Sequence, residues 1–204
     1  MPRLFFFTDP ARTPDPEAVI RCLPRGAGVV YRAFGDTAAV AKGRRMVRAA
    51  RRRGLLVLAG ADAALAARIG ADGVHLPERT AVRALGVRQA RPTWIVTAAA
   101  HSEAAIVRAR RSGADAVFLS PVFTSASPSA GPPLGHLRFA ALTVGARIPV
   151  FALGGVNPTT IRSLKGSGAS GVAAVEAVLP PPSSHVIPDK PRSGADPATT
   201  QRRR

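Results

Sequence analysis

The chain reads as an α/β protein, a compact (β/α)8 TIM barrel whose eighth helix is missing or rudimentary. Three observations predict this. One phrase comes round four times, as Gly26-Ala27-Gly28-Val29-Val30, Gly70-Ala71-Asp72-Gly73-Val74, Gly113-Ala114-Asp115-Ala116-Val117 and Gly168-Ala169-Ser170-Gly171-Val172. Each begins with a glycine suited to the left-handed turn that ends a helix, then enters a short apolar segment typical of a buried strand. The recurrences fall about two strand-plus-helix units apart. Between them lie other apolar runs, giving eight in all, and strict alternation of strand and helix implies parallel pairing.

In chain order the strands are expected at residues 4–7, 28–31, 55–58, 73–76, 94–97, 116–119, 149–153 and 171–175. Helix-period segments, with apolar residues three and four apart, fill residues 38–53, 63–69, 103–111, 137–144 and 159–164. An open doubly wound sheet also alternates, but eight evenly spaced units favour the closed barrel. Such barrels run to about 250 residues, and this chain has 204. Short loops account for the difference. Residues 1–179 form one domain on this reading. Residues 180–204 are rich in proline, serine and charge, with little to bury, and are expected to be a disordered basic tail. Without an eighth helix, one flank of the first and last strands would be exposed or covered by a partner chain.

The formal net charge is +17, carried almost wholly by arginine, which raises nucleic acid as a partner. The densest run, residues 42–53, interleaves its cations with Met46, Val47, Ala49 and Ala50, as an outer helix with a solvated basic face does. Neither an aromatic stacking platform nor a known nucleic-acid motif accompanies the charge. Cys22 is the one cysteine, so there is no disulfide framework and no cysteine-based metal cluster. The apolar run near the start reads as the first strand rather than a signal segment, and no run approaches membrane-spanning length. The expected location is the cytoplasm.

Active sites of such barrels form at the C-terminal ends of the strands, with phosphate commonly near the last two. The residues placed there are Thr8 and Asp9, Arg32, Gly60 and Ala61, Pro77 and Glu78, residues 98–102, 120–129 and 154–157, and Glu176. Gly154 and Gly155 close the seventh strand, where two glycines let the backbone approach a ligand and free N–H groups can hold phosphate oxygens. Asn157 is then expected to cap a helix that has Pro158 at its first position. The long loop of residues 120–135 carries hydroxyls, among them Ser125 and Ser127, that suit a phosphate, or it is a solvated surface loop. Arg32 points to the barrel mouth if it faces the same way as Val30. There it would pair with an anionic ligand or with Asp9. His101 reads as part of a helix start, and His75 as a packed barrel histidine.

The segments LFFFTDP (residues 4–10), GADGVHL (70–76), His101-Ser102-Glu103-Ala104, GADAVFLSPVF (113–123), PPLG (132–135) and PVFALGGVNP (149–158) resemble the thiamine phosphate synthase and thiazole tautomerase family, in order along residues 4 to 178. The resemblance implies the barrel and a synthase that joins an aminopyrimidine-methyl pyrophosphate to a thiazole phosphate. Pyrophosphate would leave with Mg²⁺ assistance through a cation-like transition state, so the site would stabilise leaving-group charge. It assigns catalytic roles to Arg32, Ser125 and Ser127, and phosphate binding to Gly154 and Gly155.

Several positions depart from the family pattern. A Gln-x-Arg-x-Lys array after the second strand reads Val30-Tyr31-Arg32-Ala33-Phe34. An Asn-Asp pair after the third strand reads Gly60-Ala61. The aspartate expected after GADGVHL is absent, with Glu78 nearby at a different spacing. Ala99 replaces a serine, the Thr-x-Thr-Lys loop reads Ser125-Ala126-Ser127-Pro128, and Glu176 replaces a serine near the phosphate. In the tautomerase branch the catalytic histidine would fall at Pro121. Mg²⁺ is therefore expected for the family while its ligand positions are largely absent, so no metal ligand is assigned. The expected partner is a small phosphorylated thiazole or thiamine phosphate, with no membrane and no nucleic acid, and a homo-oligomer left open. The alternatives are a non-catalytic or repurposed phosphate-ester-binding relative, and a basic RNA- or partner-binding protein.

Overall fold

A computed structural model describes residues 1–127 and 130–176. Eight strands, β1 (Leu4–Phe7), β2 (Gly28–Tyr31), β3 (Leu56–Gly60), β4 (Gly73–Leu76), β5 (Ile95–Ala100), β6 (Ala116–Leu119), β7 (Val150–Ala152) and β8 (Gly171–Ala174), pair in chain order into a closed parallel barrel. Around it run α1 (Pro16–Cys22), α2 (Ala39–Arg52), α3 (Ala63–Ile69), α4 (Ala84–Ala90), α5 (Glu103–Arg111) and α6 (Gly135–Gly145), with 3-10 helices at Glu78–Arg83 and Thr160–Leu164. The expected barrel is the observed one. The expectations about the eighth helix, the boundary at residue 179 and the tail of residues 180–204 lie outside the described residues. Among the described residues no helix is long and apolar enough to cross a membrane.

The repeated phrase marks the entries to β2, β4, β6 and β8. Its leading glycines all take positive φ, at 78, 73, 82 and 78° for Gly26, Gly70, Gly113 and Gly168. Only two end a helix directly: Gly70 caps α3, and Gly113 follows Ser112, which caps α5. Gly26 and Gly168 lie in turns further on, which corrects the expectation that all four do so. In the two copies that carry aspartate, that residue clips the preceding strand at one position. Asp72 donates its N–H to the Val57 carbonyl and accepts the Val57 N–H, each at 2.8 Å. Asp115 does the same with Val96 at 2.7 and 2.8 Å.

Other differences have local causes. The third strand starts one residue late because the Leu55 N–H bonds to the Ala50 carbonyl at the helix exit. The fifth starts at Ile95 because Trp94 is held in a turn by Arg91. It runs on because Ala98, Ala99 and Ala100 pair with β6.

Phe5, Phe7, Phe118 and Phe151 fill the barrel interior with Val30, Leu58, Ala116 and Ala173. Space for these rings comes from glycine, since a Cβ at Gly28 would meet the Phe5 ring at 2.2 Å. The outer face of β1 to β3 packs on α1, α2 and α3, that of β4 to β7 on α4, α5 and α6. Several arginines of the basic helix α2 act on neighbouring helix ends. Arg44 donates to the Arg68 carbonyl, Arg51 to that of Gly70 and Arg53 to that of Leu23. Cations at helix C-termini satisfy leftover carbonyls and favour the helix dipole, so part of this basic run serves the fold.

Candidate functional site

A cavity of about 960 Å³ opens over the C-terminal ends of the strands. That is within the range of small-molecule sites. Its floor is the aromatic interior, represented by Phe7 and His75, and its rim carries Arg12, Arg32, Arg79 and His101.

Arg32 reaches the cavity because it lies just past the end of β2, two residues after Val30, which faces the interior. The expected ion pair with Asp9 is present. Arg32 borders the cavity while its Nη2 lies 3.2 Å from Asp9 Oδ2 and its Nε donates to the Thr8 carbonyl at 2.7 Å. Asp9 also receives Arg12 at 2.9 Å. Burial raises the Asp9 pKa, but the Arg12 hydrogen bond and charge, the Ala11 N–H and Arg32 outweigh it and hold the carboxyl below its ordinary value. Glu176 borders the cavity as well, 3.6 Å from Arg12 Nε.

Gly154 and Gly155 lie at φ 86 and 67°. Their geometry follows from packing as well as backbone freedom: a Cβ at 155 would meet the Thr124 carbonyl at 2.4 Å, and one at 154 would meet Pro121 at 2.8 Å. The two glycines thus let the loop after β6 close onto β7. Among the described residues no protein acceptor takes the Gly154 or Gly155 N–H. Both residues border the cavity. Asn157 does cap the next turn, its Oδ1 accepting the N–H groups of Thr159 and Thr160 at 2.9 and 3.0 Å. The turn it holds leads into the 3-10 helix Thr160–Leu164, so Pro158 is not the first residue of an α-helix. The Thr160 hydroxyl accepts the Asn157 N–H at 2.9 Å and donates to the Gly155 carbonyl at 2.8 Å, which keeps the turn tight.

Ser125 and Ser127 border the same cavity, with the Ser127 N–H donating to Ser125 Oγ at 3.3 Å. The structure thus brings Arg32, Ser125, Ser127, Gly154 and Gly155 to one space. His75 is packed, edge-on to Phe7 and Phe118, with Nδ1 3.0 Å from Thr97 Oγ1. Burial first, and the Arg32 charge second, push its pKa down to about 3, so it is a neutral wall. His101 has its N–H and Nδ1 on Glu78 Oε2 at 3.0 and 2.7 Å, while Arg108 takes Oε1 at 3.0 Å. Glu78 is therefore engaged away from the cavity, and Ser102 is the cap of α5. Sequence reasoning did not single out Arg12 and Arg79. Each follows a strand by several residues, and only strand-end position could have pointed to them.

The residues present do not fit the Mg²⁺ that the family pattern implies. Gly60 and Ala61 offer no side-chain oxygen at the cavity. Asp62 borders it, but its Oδ1 accepts the Leu65 N–H as the cap of α3. Among the described residues no three His, Cys, Asp or Glu gather as a metal site.

The closed parallel barrel, with an arginine-rimmed cavity over its strand ends, has the architecture of the (β/α)8 class. Residues 4–178 match the family model described as thiamine monophosphate synthase. The chain belongs to that family. It is 31% identical over 189 residues to a thiamine-phosphate synthase of Alcanivorax borkumensis, covering 86% of this chain and 84% of the relative. It is 34% identical over 139 residues to a thiamine biosynthesis bifunctional protein of Symbiobacterium thermophilum, covering 68% of this chain and 29% of that one. Three relatives of higher similarity are spanned over 66%, 29% and 60% of their own lengths. Among solved structures, thiamine phosphate pyrophosphorylase from Pyrococcus furiosus shares the fold at TM-score 0.75 and 24% identity, covering 86% of each chain.

Proposed function

We propose that this chain is a thiamine phosphate synthase-type protein of thiamine biosynthesis that holds a thiazole phosphate or thiamine phosphate with its phosphate on Gly154 and Gly155. The observation that carries this reading is that Gly154 and Gly155, whose N–H groups have no protein acceptor among the described residues, border a cavity rimmed by Arg12, Arg32 and Arg79. Backbone N–H groups and arginines are the donors that phosphate oxygens select. In the coupling reaction of this family the bond to pyrophosphate breaks as the two rings join. Arg32, Ser125 and Ser127 are the groups left to stabilise the departing charge. Losing one such preorganised donor costs on the order of 10²–10³ in rate, so binding outlasts turnover in this reading.

The test is to incubate the purified protein with both substrates and Mg²⁺ beside a working relative, and to measure thiamine phosphate binding in chelator. The expected result is binding that survives chelation, with turnover at least about 10²-fold below the relative. Turnover at the relative's rate would establish a fully active synthase instead, a reading favoured by the position of Arg32 at the cavity.

A further inference from the structure

We infer that Phe34 is a stacking residue of this cavity, offering its ring face to a planar aromatic heterocycle whose phosphate sits at Gly154 and Gly155. The inference rests on the phosphate reading above and adds the other end of the ligand. Among the described Phe, Tyr and Trp residues Phe34 is the one that is exposed, at 66%. It stands at the cavity rim rather than on a distant surface.

Its backbone is the second observation. Phe34 has φ +48° and Gly35 φ +78°, inside a turn closed by the Asp36 N–H donating to the Ala33 carbonyl at 2.9 Å. Two successive positive φ values call for glycine, asparagine or aspartate, and a bulky residue there is an outlier. Local turn chemistry alone would not choose phenylalanine. Such strained residues persist where a site requires the side chain.

The third observation is the partner behind the ring. The Arg32 guanidinium lies 5.0 Å from the Phe34 centroid and 5.8 Å from that of Phe7. A cation against an aromatic ring is held by the ring's quadrupole, so Arg32 braces Phe34 from one side and Asp9 anchors Arg32 from another. Where the resembled pattern has a lysine, which is a donor for phosphate oxygens, this chain presents a π-face. The mouth beside β2 is thereby changed from a place for charge to a place for a flat ring.

The test uses the full chain, thermal unfolding and calorimetry, and three probes: thiamine phosphate, unphosphorylated thiamine and inorganic phosphate. Stacking of an aromatic ring on a base is lost at about 5- to 150-fold in affinity on truncation. Phe34→Leu is expected to weaken thiamine phosphate and thiamine by at least about fivefold, leave inorganic phosphate unchanged, and be rescued by Phe34→Trp. Equal thiamine phosphate affinity in wild type and Phe34→Leu would overturn the stacking role while leaving the phosphate reading intact. Phe34-dependent thiamine binding without any phosphate binding would uphold stacking and sink the phosphate reading. No binding of any probe to the wild type would overturn both.

Discussion

The Arg32 guanidinium sits 3.2 Å from the Asp9 carboxylate, which Arg12 shares at 2.9 Å. Two arginines share this one carboxylate, and Glu176, 3.6 Å from Arg12 Nε, brings a second anion to the mouth of the barrel. The folded-state pKa of Asp9 is lowered. Its contribution to stability is therefore full above the ordinary aspartate range and is lost as pH falls through the lowered value. Asp9→Asn is expected to cost about 1 kcal/mol at neutral pH, a difference that shrinks on acidification. Urea unfolding of both proteins from pH 7 to pH 3 checks it.

His75 titrates in the opposite chemical sense but with the same outcome. Its folded pKa of about 3 lies below the unfolded value near 6.5, so the unfolded chain binds the extra proton between those limits. The stability it protects is complete above about pH 6.5 and falls towards pH 3, at up to about 1.4 kcal/mol per pH unit. His75→Gln should remove that slope between pH 4 and 6. An unchanged slope would show that His75 is not neutral in the folded protein.

The aspartates of the repeated phrase act as clips between neighbouring strands. Asp115 also pairs with Arg88, so Asp115→Ala leaves the Val96 N–H without its side-chain acceptor and the Arg88 guanidinium with the Gly113 carbonyl alone. A loss of about 1.5–3 kcal/mol is expected, measured by chemical denaturation. Asp72→Ala, with the Val57 clip alone, should cost less.

Gly155→Ala puts a Cβ 2.4 Å from the Thr124 carbonyl at a positive φ. Stability should drop by about 1–3 kcal/mol, and the loop after β6 should move off β7. Thiamine phosphate affinity is then expected to fall even at temperatures where the variant remains folded, as read by calorimetry.

The barrel was legible because its signals are local and periodic: a glycine at each turn, then a β-branched run. The entries to β2, β4, β6 and β8 follow directly from it. Helix α1 is absent from the expected segments although Asp15 caps it and Pro16 opens it, because the buried residues within it, Val19 and Ile20, are adjacent rather than three or four apart. Helix α4 has no side-chain cap and grows out of a 3-10 helix, so little marked it. The candidate site was half legible. Gly154, Gly155 and Arg32 sit at strand ends, whereas Arg12 and Phe34 reach the cavity from loops, and Arg79 from the 3-10 helix Glu78–Arg83, whose paths depend on tertiary packing. Phe34 carried a signal in the residue after it, since Gly35 marks a turn in which a bulky aromatic is out of place.

The most direct measurement is thermal unfolding of the purified protein against thiamine phosphate, with Mg²⁺ and again with chelator. Ligand at about a hundred times its dissociation constant adds about 2.7 kcal/mol. A saturable rise in melting temperature of equal size in both conditions is expected if Gly154, Gly155 and the arginines hold the phosphate without a metal. No rise in either condition, or a rise that vanishes in chelator, would contradict it.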